Sequence, residues 1–236
     1  MNVGNGITIS EGRQWSFSNH VAEQFDDHVK LSVPLYEEGH DLICYLSDFF
    51  MSDNAVFYEI GCSTGTLIRK IYNRHSHKKN VSFIGIEPVD EMIEQARSYN
   101  NSESIEFINS SIEETPLVPC NLIVSYYCLQ FISQLYRIEV CRKIYDSLLP
   151  GGAFILFEKE MIEDPKMNKL ITSSYLKFKI RNGFTPEEVL SKQFSLEGIL
   201  NSNTHSVNRS LLSSVGFENI TSIMRYGEFH GYICIK

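Results

Sequence analysis

Basic residues are few in this chain, and they never form a long run. It has 21 lysines and arginines against 29 aspartates and glutamates, so the formal net charge is −8. No basic run is longer than the pair Lys78-Lys79. Non-specific binding of nucleic acid needs a positive surface. The composition therefore predicts no nucleic-acid partner and disfavours an enzyme acting on tRNA, while a small anionic substrate stays compatible with it.

Paired cysteines and long apolar segments are also missing. The cysteines stand at positions 44, 62, 120, 128, 141 and 234, without a Cys-x-x-Cys pair or a Cys/His cluster of zinc spacing. We therefore expect no metal site, and free buried thiols in a reducing compartment. The N-terminus is polar without a signal peptide, and no apolar run is long enough to span a bilayer. These absences predict a soluble, cytoplasmic protein that does not bind membranes.

The chain also lacks the patterns that nucleophilic and hydrolytic enzymes need. No residue set predicts a nucleophilic triad, and no paired-carboxylate motif of a hydrolase occurs. This absence is compatible with a substrate that already carries its leaving group. In that case the protein mainly has to align donor and acceptor and to exclude water.

The most informative segment present is a glycine turn between a predicted strand and a predicted helix. An apolar run at 56–60 leads into Gly61-Cys62-Ser63-Thr64-Gly65, and a helical pattern follows. Glycines let the backbone approach a ligand closely, and the helix N-terminus offers free N–H groups. The spacing is Gly-x-x-x-Gly rather than the Gly-x-Gly-x-x-Gly of dinucleotide sites, so the turn alone also fits an ordinary strand-to-helix connection.

An acidic residue after the next predicted strand makes the interpretation more specific. Glu87 follows the apolar run 81–86. A carboxylate about 20 residues beyond such a turn can accept both hydroxyls of a ribose. The acidic Glu59 near the end of the first strand fits S-adenosylmethionine (SAM) better than NAD. Together these residues predict a nucleoside cofactor, SAM.

The rest of the chain alternates between strand and helix patterns. Strands are predicted at 56–60, 81–86, 105–108, 121–126 and 153–158, and helices at 64–74, 90–98 and 134–148. This alternation predicts right-handed crossovers and a mostly parallel sheet covered on both faces. Two further strands near 219–225 and 229–235 follow a helix at 206–215. The fold class is therefore α/β, with a Rossmann-like sheet.

Two regions outside this alternation are predicted to cover the site. Residues 1–50 contain a polar arm with Trp15 and Phe17, followed by two helices that Pro34 separates. Residues 160–203 contain helical segments at 166–180 and 185–201 and read as a helical insertion over the end of the sheet. We expect residues 1–236 to form one SAM-binding domain, with residues 1–18 and parts of 160–203 closing over the cofactor.

The chain resembles the carboxy-S-adenosylmethionine synthases, which belong to the class I SAM-dependent methyltransferase superfamily. The resemblance extends from about Val21 to the end. The residues that carry it are Phe25-Asp26-Asp27, Val33-Pro34-Leu35-Tyr36, Gly61-Cys62-Ser63, Leu129-Gln130-Phe131, Leu149-Pro150-Gly151-Gly152, Glu158-Lys159, Phe178-Lys179 and Asn182-Gly183-Phe184. It implies a seven-stranded sheet with a reversed last hairpin, SAM at the strand tips, and a homodimer.

The resemblance also implies roles for single residues. Tyr36 would contact the cofactor from the N-terminal helices, and Glu87 with Pro88 would bind the ribose. The expected cofactor-binding set is Tyr36, Gly61, Cys62, Ser63, Gly65, Glu87, Pro88, Ser111, Ile112 and Tyr126, where Ser111 and Ile112 match the pair that flanks the adenine. Tyr126, at the end of the fourth strand, and Tyr175, in the insertion, are the candidate catalytic contacts.

Three residues depart from the family pattern. Ser111 replaces an acid near the adenine, and Tyr126 replaces an asparagine. Leu211, counted back from Gly216-Phe217, stands where the family has an arginine that holds the extra carboxylate of its product. Burying a carboxylate against a leucine side chain costs free energy, because leucine offers it no hydrogen bond. We therefore expect the protein to prefer plain SAM and not to make carboxy-SAM from prephenate.

Three kinds of function remain open on the sequence. The first is methyl transfer from SAM to a small molecule. The second is another sulfonium reaction in the same fold, either carboxy-SAM synthesis or a cyclisation of SAM that releases methylthioadenosine. The third is SAM binding without catalysis, which the intact Gly61, Gly65 and Glu87 set disfavours.

Overall fold

The structure, a computed structural model, describes residues 2–8, 15–18, 21–99 and 104–236. The helices in these ranges are α1 (Val21–Ser32), α2 (Tyr36–Ser47), α3 (Thr66–His75), α4 (Asp90–Ser98), α5 (Gln134–Ser147), α6 (Pro165–Arg181), α7 (Pro186–Ser195) and α8 (His205–Ser214). The strands are β1 (Val56–Ile60), β2 (Ser82–Glu87), β3 (Ile105–Asn109), β4 (Cys120–Tyr126), β5 (Leu148–Lys159), β6 (Asn219–Tyr226) and β7 (Phe229–Ile235).

The strands form one seven-stranded sheet in the order β3-β2-β1-β4-β5-β7-β6. The pairs among β1 to β5 are parallel, whereas β7 lies antiparallel between β5 and β6. The predicted α/β fold class and its reversed last hairpin are confirmed. The strand order changes direction between β1 and β4, and ligands of open α/β sheets bind at the carboxyl ends of the strands beside such a point.

The central strands are buried on both faces, as their apolar sequences predict. Along β5, Phe154 and Leu156 belong to the core beneath α5 and α8. The alternate residues Ala153, Ile155 and Phe157 belong to the opposite core, which α2, α3 and α4 cover. Side chains of a strand point to opposite faces in turn. Both cores therefore depend on the same register of β5 in the sheet. That register also fixes the positions of the strand ends that surround the site.

Two predicted boundaries are wrong, and tertiary contacts account for both. The strand predicted to begin at 153 begins at Leu148, and the register of β5 against β4 shifts after that residue. The helix predicted to run to 201 ends at Ser195. The carbonyl oxygen of Ser195 accepts a hydrogen bond from the backbone N–H of Trp15 at 2.7 Å rather than from Ile199, whose N–H donates to Leu196 at 3.1 Å.

The N-terminal helices are attached directly to the glycine turn. Asp26 on α1 accepts hydrogen bonds from the hydroxyls of Thr64 at 2.7 Å and Thr66 at 3.1 Å. Tyr175 on α6 donates to the carbonyl oxygen of Ser32 at 2.9 Å. These bonds place α1 and α6 above the carboxyl ends of the strands. No helix within the described ranges combines the length and the apolar character that crossing a membrane requires.

Candidate functional site

A cavity of about 270 Å³ lies at the carboxyl ends of β1, β2 and β4. The N-terminal arm, α1 and α2 cover it on one side, and residues of α6, α7 and β7 close it on the other. Its lining includes Trp15, Phe17, His28, Tyr36, Glu59, Gly61, Cys62, Ser63, Glu87, Pro88, Met92, Tyr126, Tyr127, Lys159, Tyr175, Lys179, Lys192 and Phe229. Aromatic side chains are frequent in it, and charged groups stand at a few defined positions, as in sites for small molecules.

The glycine turn forms the floor of the cavity. Gly61 has a φ of 68°, and a Cβ atom there would collide with the Sγ of Cys128. Only glycine satisfies both conditions. Ser63 is also left-handed, with a φ of 51°. The backbone therefore passes close to the cavity at the position where the sequence predicts contact with a cofactor.

Glu87 stands at the end of β2 and lines the cavity with only 7% of its surface exposed. Its two oxygens accept backbone hydrogen bonds from Ser63 and Val89, each at 3.0 Å. Burial raises the pKa of Glu87, and these two hydrogen bonds oppose that rise. The carboxylate therefore joins the glycine turn to α4, and each oxygen keeps a lone pair for a ligand hydroxyl.

Glu59 on β1 presents a second carboxyl group to the cavity. It is 3% exposed, and its Oε2 atom has no hydrogen-bond partner among the described residues. Burial raises the pKa of Glu59 to about 8, while the Ile68 backbone and the charge of Arg69 act in the opposite direction. A cationic ligand in the cavity would satisfy this group, since opposite charge favours the ionised carboxylate.

Glu59 should make the ligand-free protein less stable as the pH rises. Its usual pKa of 4.5 is lower than the folded value of about 8, so the stabilising contribution is complete below pH 4.5 and is lost as the pH rises through 8. We expect urea unfolding between pH 6 and 9 to show a decline of about 1.4 kcal/mol per pH unit for each such group up to about pH 8, with no further decline from that group at higher pH.

Glu59→Gln should flatten this decline in part, because burial also raises the pKa of Glu158 to about 8 and that group still contributes. Glu94→Gln on the exposed face of α4 is the matched control and should leave the slope unchanged. Equal slopes for the parent and Glu59→Gln would contradict the prediction.

The two candidate catalytic tyrosines line the cavity, but their hydroxyls are already engaged. Tyr126 donates to the carbonyl oxygen of Tyr36 at 2.7 Å, and Tyr175 donates to that of Ser32 at 2.9 Å. Burial is the main cause that raises the pKa of both phenols above the usual value. A ligand in the cavity can therefore contact the rings of Tyr126 and Tyr175 rather than their hydroxyls. Aromatic rings attract cations.

Three lysines reach the same cavity from β5, α6 and α7. Lys159 pairs with Glu228 at 3.1 Å. Lys179 is 6% exposed, and burial together with the charge of Lys159 lowers its pKa to about 8. Burial lowers the pKa of Lys192 well below its usual value, and its ammonium group lies over the Trp15 ring. Within the described residues no carboxylate forms an ion pair with Lys179 or Lys192, and only the charge of Glu228 raises the pKa of Lys179.

Most of the predicted cofactor residues meet at this cavity. Those that line it are Tyr36, Gly61, Cys62, Ser63, Glu87, Pro88 and Tyr126. Gly65 is not part of the lining but precedes α3 with a φ of 74°. Ser111 and Ile112 also lie outside it: Ile112 is buried in the core, and the carbonyl oxygen of Ser111 accepts from Thr115. Their contact with adenine stays a prediction.

Leu211 requires a correction. The sequence argument placed it beside a ligand carboxylate, but it does not line the cavity and instead packs against the core beneath α5 and α8. Within this chain, a leucine at 211 therefore leaves the charge of the cavity unchanged. Leu211 of this chain therefore does not disfavour a carboxylated ligand in the cavity.

The sequence prediction missed several functional candidates. His28, Lys159, Lys179 and Lys192 lie on different elements, and no local pattern in the sequence marks them as neighbours. Tyr127 also lines the cavity, and its backbone φ of 57° is rare for an aromatic residue and marks backbone strain of the kind that occurs at functional sites.

A second polar cluster lies outside the cavity lining. Glu160 accepts hydrogen bonds from His230 at 2.8 Å and Asn208 at 3.0 Å, and also from the Tyr232 hydroxyl. Tyr232 is bonded in turn to His205 at 2.7 Å. Glu160, His205 and His230 are near enough to share an ion. The carboxylate is fully hydrogen-bonded without one, so we interpret this cluster as a structural link between α8, β5 and β7.

The cavity fits SAM on three observations. The floor at Gly61 admits no side chain, Glu87 has free lone pairs at a strand end, and Glu59 has an unpartnered buried oxygen. SAM offers ribose hydroxyls to the second of these groups and cationic groups to the third. Together with the strand order, these features define the class: a SAM-dependent transferase with the class I methyltransferase fold.

Comparison with known proteins supports this class and gives the family. A family model described as a methyltransferase domain matches residues 57–152. A carboxy-S-adenosyl-L-methionine synthase of Staphylococcus epidermidis is 34% identical over 224 residues, which cover 94% of this chain and 97% of that protein. A protein of the same name from Nautilia profundicola is also 34% identical, with 95% of each chain covered. This chain belongs to the carboxy-S-adenosyl-L-methionine synthase family and uses SAM.

Solved structures share the fold at low sequence identity. A protein described as a putative SAM-dependent methyltransferase from Methanococcus maripaludis matches with a TM-score of 0.61 at 19% identity, covering 97% of both chains. Human N-acetylserotonin methyltransferase in complex with SAM matches with a TM-score of 0.54 at 15% identity, covering 96% of this chain and 63% of that chain. These neighbours support the fold.

The covering segments should exchange their amide hydrogens more slowly when SAM binds. Trp15 and Phe17 of the arm and Tyr175, Lys179 and Lys192 of the insertion line the cavity, whereas residues 9–14 lie outside the described ranges. Segments that close an active site are drawn from regions of low local stability. Hydrogen exchange with and without saturating SAM should show slower exchange in residues 1–18 and in parts of 160–203, with α5 as an internal reference. Unchanged exchange in both segments would contradict a covering role.

Proposed function

We propose that SAM lies along the turn at Gly61 with its ribose at Glu87. Three features support this placement: the close approach at Gly61, the free lone pairs of Glu87, and the position of Pro88 beside it in the lining. The methionine part then extends toward Glu59 and Tyr36. In this arrangement the rings of Tyr126 and Tyr175 stand near the sulfonium, where they stabilise positive charge and exclude water.

The second substrate in this proposal is a small organic anion, and the observation that carries it is the set of three lysines in the cavity. Lys192 has no described acidic partner, and Lys179 feels only the charge of Glu228, so an anion between the two lysines would stabilise the charged form of both. Lysine acts as a point charge for such a group. The reaction we propose first is formation of carboxy-SAM, because relatives across nearly the whole chain bear that name.

Methyl transfer to a small anionic acceptor is the second candidate, and Lys179 favours it. With its pKa lowered to about 8 by burial, Lys179 can take a proton from an acceptor near neutral pH. In methyl transfer, SAM supplies the leaving group as S-adenosylhomocysteine. In carboxy-SAM formation no bond to the sulfur breaks: the methyl carbon of SAM loses a proton and gains a carboxyl group, which the second substrate releases. The chain would align the two substrates, hold the anion and exclude water.

Mass spectrometry of the nucleoside products distinguishes these reactions. The protein is incubated with SAM alone, with SAM and prephenate, and with SAM and a pool of small metabolites. Carboxy-SAM formed only with prephenate supports the first proposal. S-adenosylhomocysteine formed only with the metabolite pool supports methyl transfer. Methylthioadenosine from SAM alone would show the cyclisation instead, and no turnover in any mixture would contradict both proposals.

A pair of lysines on α6 provides the matched variants. Lys179 is buried in the cavity, whereas Lys177 on the same helix is exposed. Lys179→Met should lower turnover about 100-fold, because a charge-assisted contact in a closed pocket is lost. Lys177→Met should leave turnover unchanged. Equal turnover in both variants would contradict a role for the lysine charge.

The remaining assignments are the assembly and the location of the protein. The family resemblance and the acidic composition, with a sequence pI of about 5.4, support a homodimer that works in the cytoplasm without nucleic acid. Light scattering after size-exclusion chromatography should give a mass near twice 27.1 kDa. A mass of one chain at micromolar concentration would contradict the dimer.

A further inference from the structure

His28 is the least satisfied polar side chain in the cavity. It lies on α1 with 4% of its surface exposed, and neither ring nitrogen has a hydrogen-bond partner among the described residues. Its ring stacks on Trp15 with a centroid distance of 6.1 Å and meets Phe184 edge-on at 5.3 Å. Buried polar groups in folded proteins are almost always hydrogen-bonded, so a lone imidazole at this position calls for a ligand.

The surroundings keep the His28 ring neutral. Burial, followed by the charges of Lys192 and Lys179, lowers the pKa of His28 to about 3. The backbone of Gly4 opposes this shift weakly without reaching hydrogen-bond geometry. A neutral imidazole offers one N–H donor and one acceptor nitrogen. It can therefore bind a hydroxyl, a carbonyl or a carboxylate oxygen without contributing charge.

The charged groups around His28 indicate the charge of such a ligand. Lys192 and Lys179 both line the cavity, and both lower the pKa of His28, so the three groups act on the same region between α1, α6 and α7. Burial lowers the pKa values of both lysines, and an anion beside them would stabilise their charged forms. The apolar ring of Trp15 in the lining favours an organic anion.

We propose that His28, Lys179 and Lys192 form the binding site of the second substrate, a small organic acid that places its carboxylate at the lysines and a second oxygen at the imidazole. This inference rests on the proposed function, because it assumes a second substrate beside SAM. The carboxylate could also be that of SAM itself, and the experiment separates these two sources.

Calorimetry on the protein saturated with S-adenosylhomocysteine tests the site without requiring turnover. The probes are prephenate, phenylpyruvate and 4-hydroxybenzoate. We expect the parent to bind at least one of them, His28→Phe to bind it at least tenfold more weakly, and Lys192→Met to show a loss of similar size. His28→Asn keeps a donor and an acceptor and should recover part of the affinity. His77→Phe, at an exposed histidine, should match the parent.

Three results would overturn the inference. They are no binding of any probe to the parent, equal binding by His28→Phe, or a fall in SAM affinity as large as the fall for the probe, which would assign the site to the carboxylate of SAM. If His28→Phe does not fold, the inference is tested by nuclear magnetic resonance of the ring nitrogens of His28 in the parent. Their resonances should shift when the probe is added, and unchanged resonances would overturn the inference. A negative product assay together with probe binding would contradict the proposed reaction alone.

Discussion

Glu87→Ala is expected to weaken SAM binding by about 100-fold or more. A carboxylate that accepts two ribose hydroxyls makes two charge-assisted hydrogen bonds, each of about 1.5–3 kcal/mol. The structure adds a second loss, since the same oxygens accept the backbone N–H groups of Ser63 and Val89. Removing the carboxylate therefore also loosens the turn that supports the cofactor.

Calorimetric titration with SAM measures this effect, and thermal unfolding of the ligand-free variants shows how much of it is structural. Glu87→Gln keeps the shape and one acceptor oxygen, so its affinity should fall between those of the parent and Glu87→Ala. Glu94→Ala, on an exposed position of α4, should bind SAM like the parent. Equal affinity in Glu87→Ala and the parent would remove Glu87 from the cofactor site.

The second large effect is expected at Gly61. A Cβ at this position would collide with the side chain of Cys128, and the φ of 68° is unfavourable for any other residue. We expect Gly61→Ala to lower the free energy of unfolding by about 3 kcal/mol or more, because overpacking and backbone strain add. SAM binding should be lost as well, since the turn must move to relieve the contact.

Gly151 offers a control that separates the two causes. Its φ is 80°, but a Cβ there would meet nothing within 4 Å. Gly151→Ala should therefore cost only the conformational term of about 1–2 kcal/mol. Adding Cys128→Gly to Gly61→Ala should recover the part that comes from the collision. Urea unfolding and SAM titration of the four proteins test this, and equal losses in Gly61→Ala and Gly151→Ala would contradict the steric argument.

The sequence predicted the parts of the site that are local in the chain. The turn at 61–65 and the acidic residue after β2 are read from consecutive residues, because strand, glycine and helix patterns need no distant partner. The structure places Gly61 and Glu87 together since parallel neighbouring strands end at one edge of the sheet. The positive side of the cavity could not be read in this way. His28, Lys179 and Lys192 meet only because α1, α6 and α7 are stacked over that edge.

Leu211 also shows that sequence position alone does not predict which side chains reach the cavity. Position along the chain, counted from Gly216, suggested a contact with the ligand, yet α8 packs Leu211 against the core. A count of residues fixes a position in a helix but not the surface against which that helix lies. The charge of the cavity is therefore set by residues other than the one that the count from Gly216 indicated.

By itself the sequence determined the order of strands and helices, the glycine turn and the family, because these depend on periodicity, glycine positions and residues near in the chain. Only the tertiary structure decided which side chains share the cavity. It buried Glu59 and His28 without partners, engaged the hydroxyls of Tyr126 and Tyr175, and brought three lysines together. The physical reason is that burial and charge depend on contacts between distant segments, and the helices that make these contacts are placed by packing on the sheet rather than by local pattern.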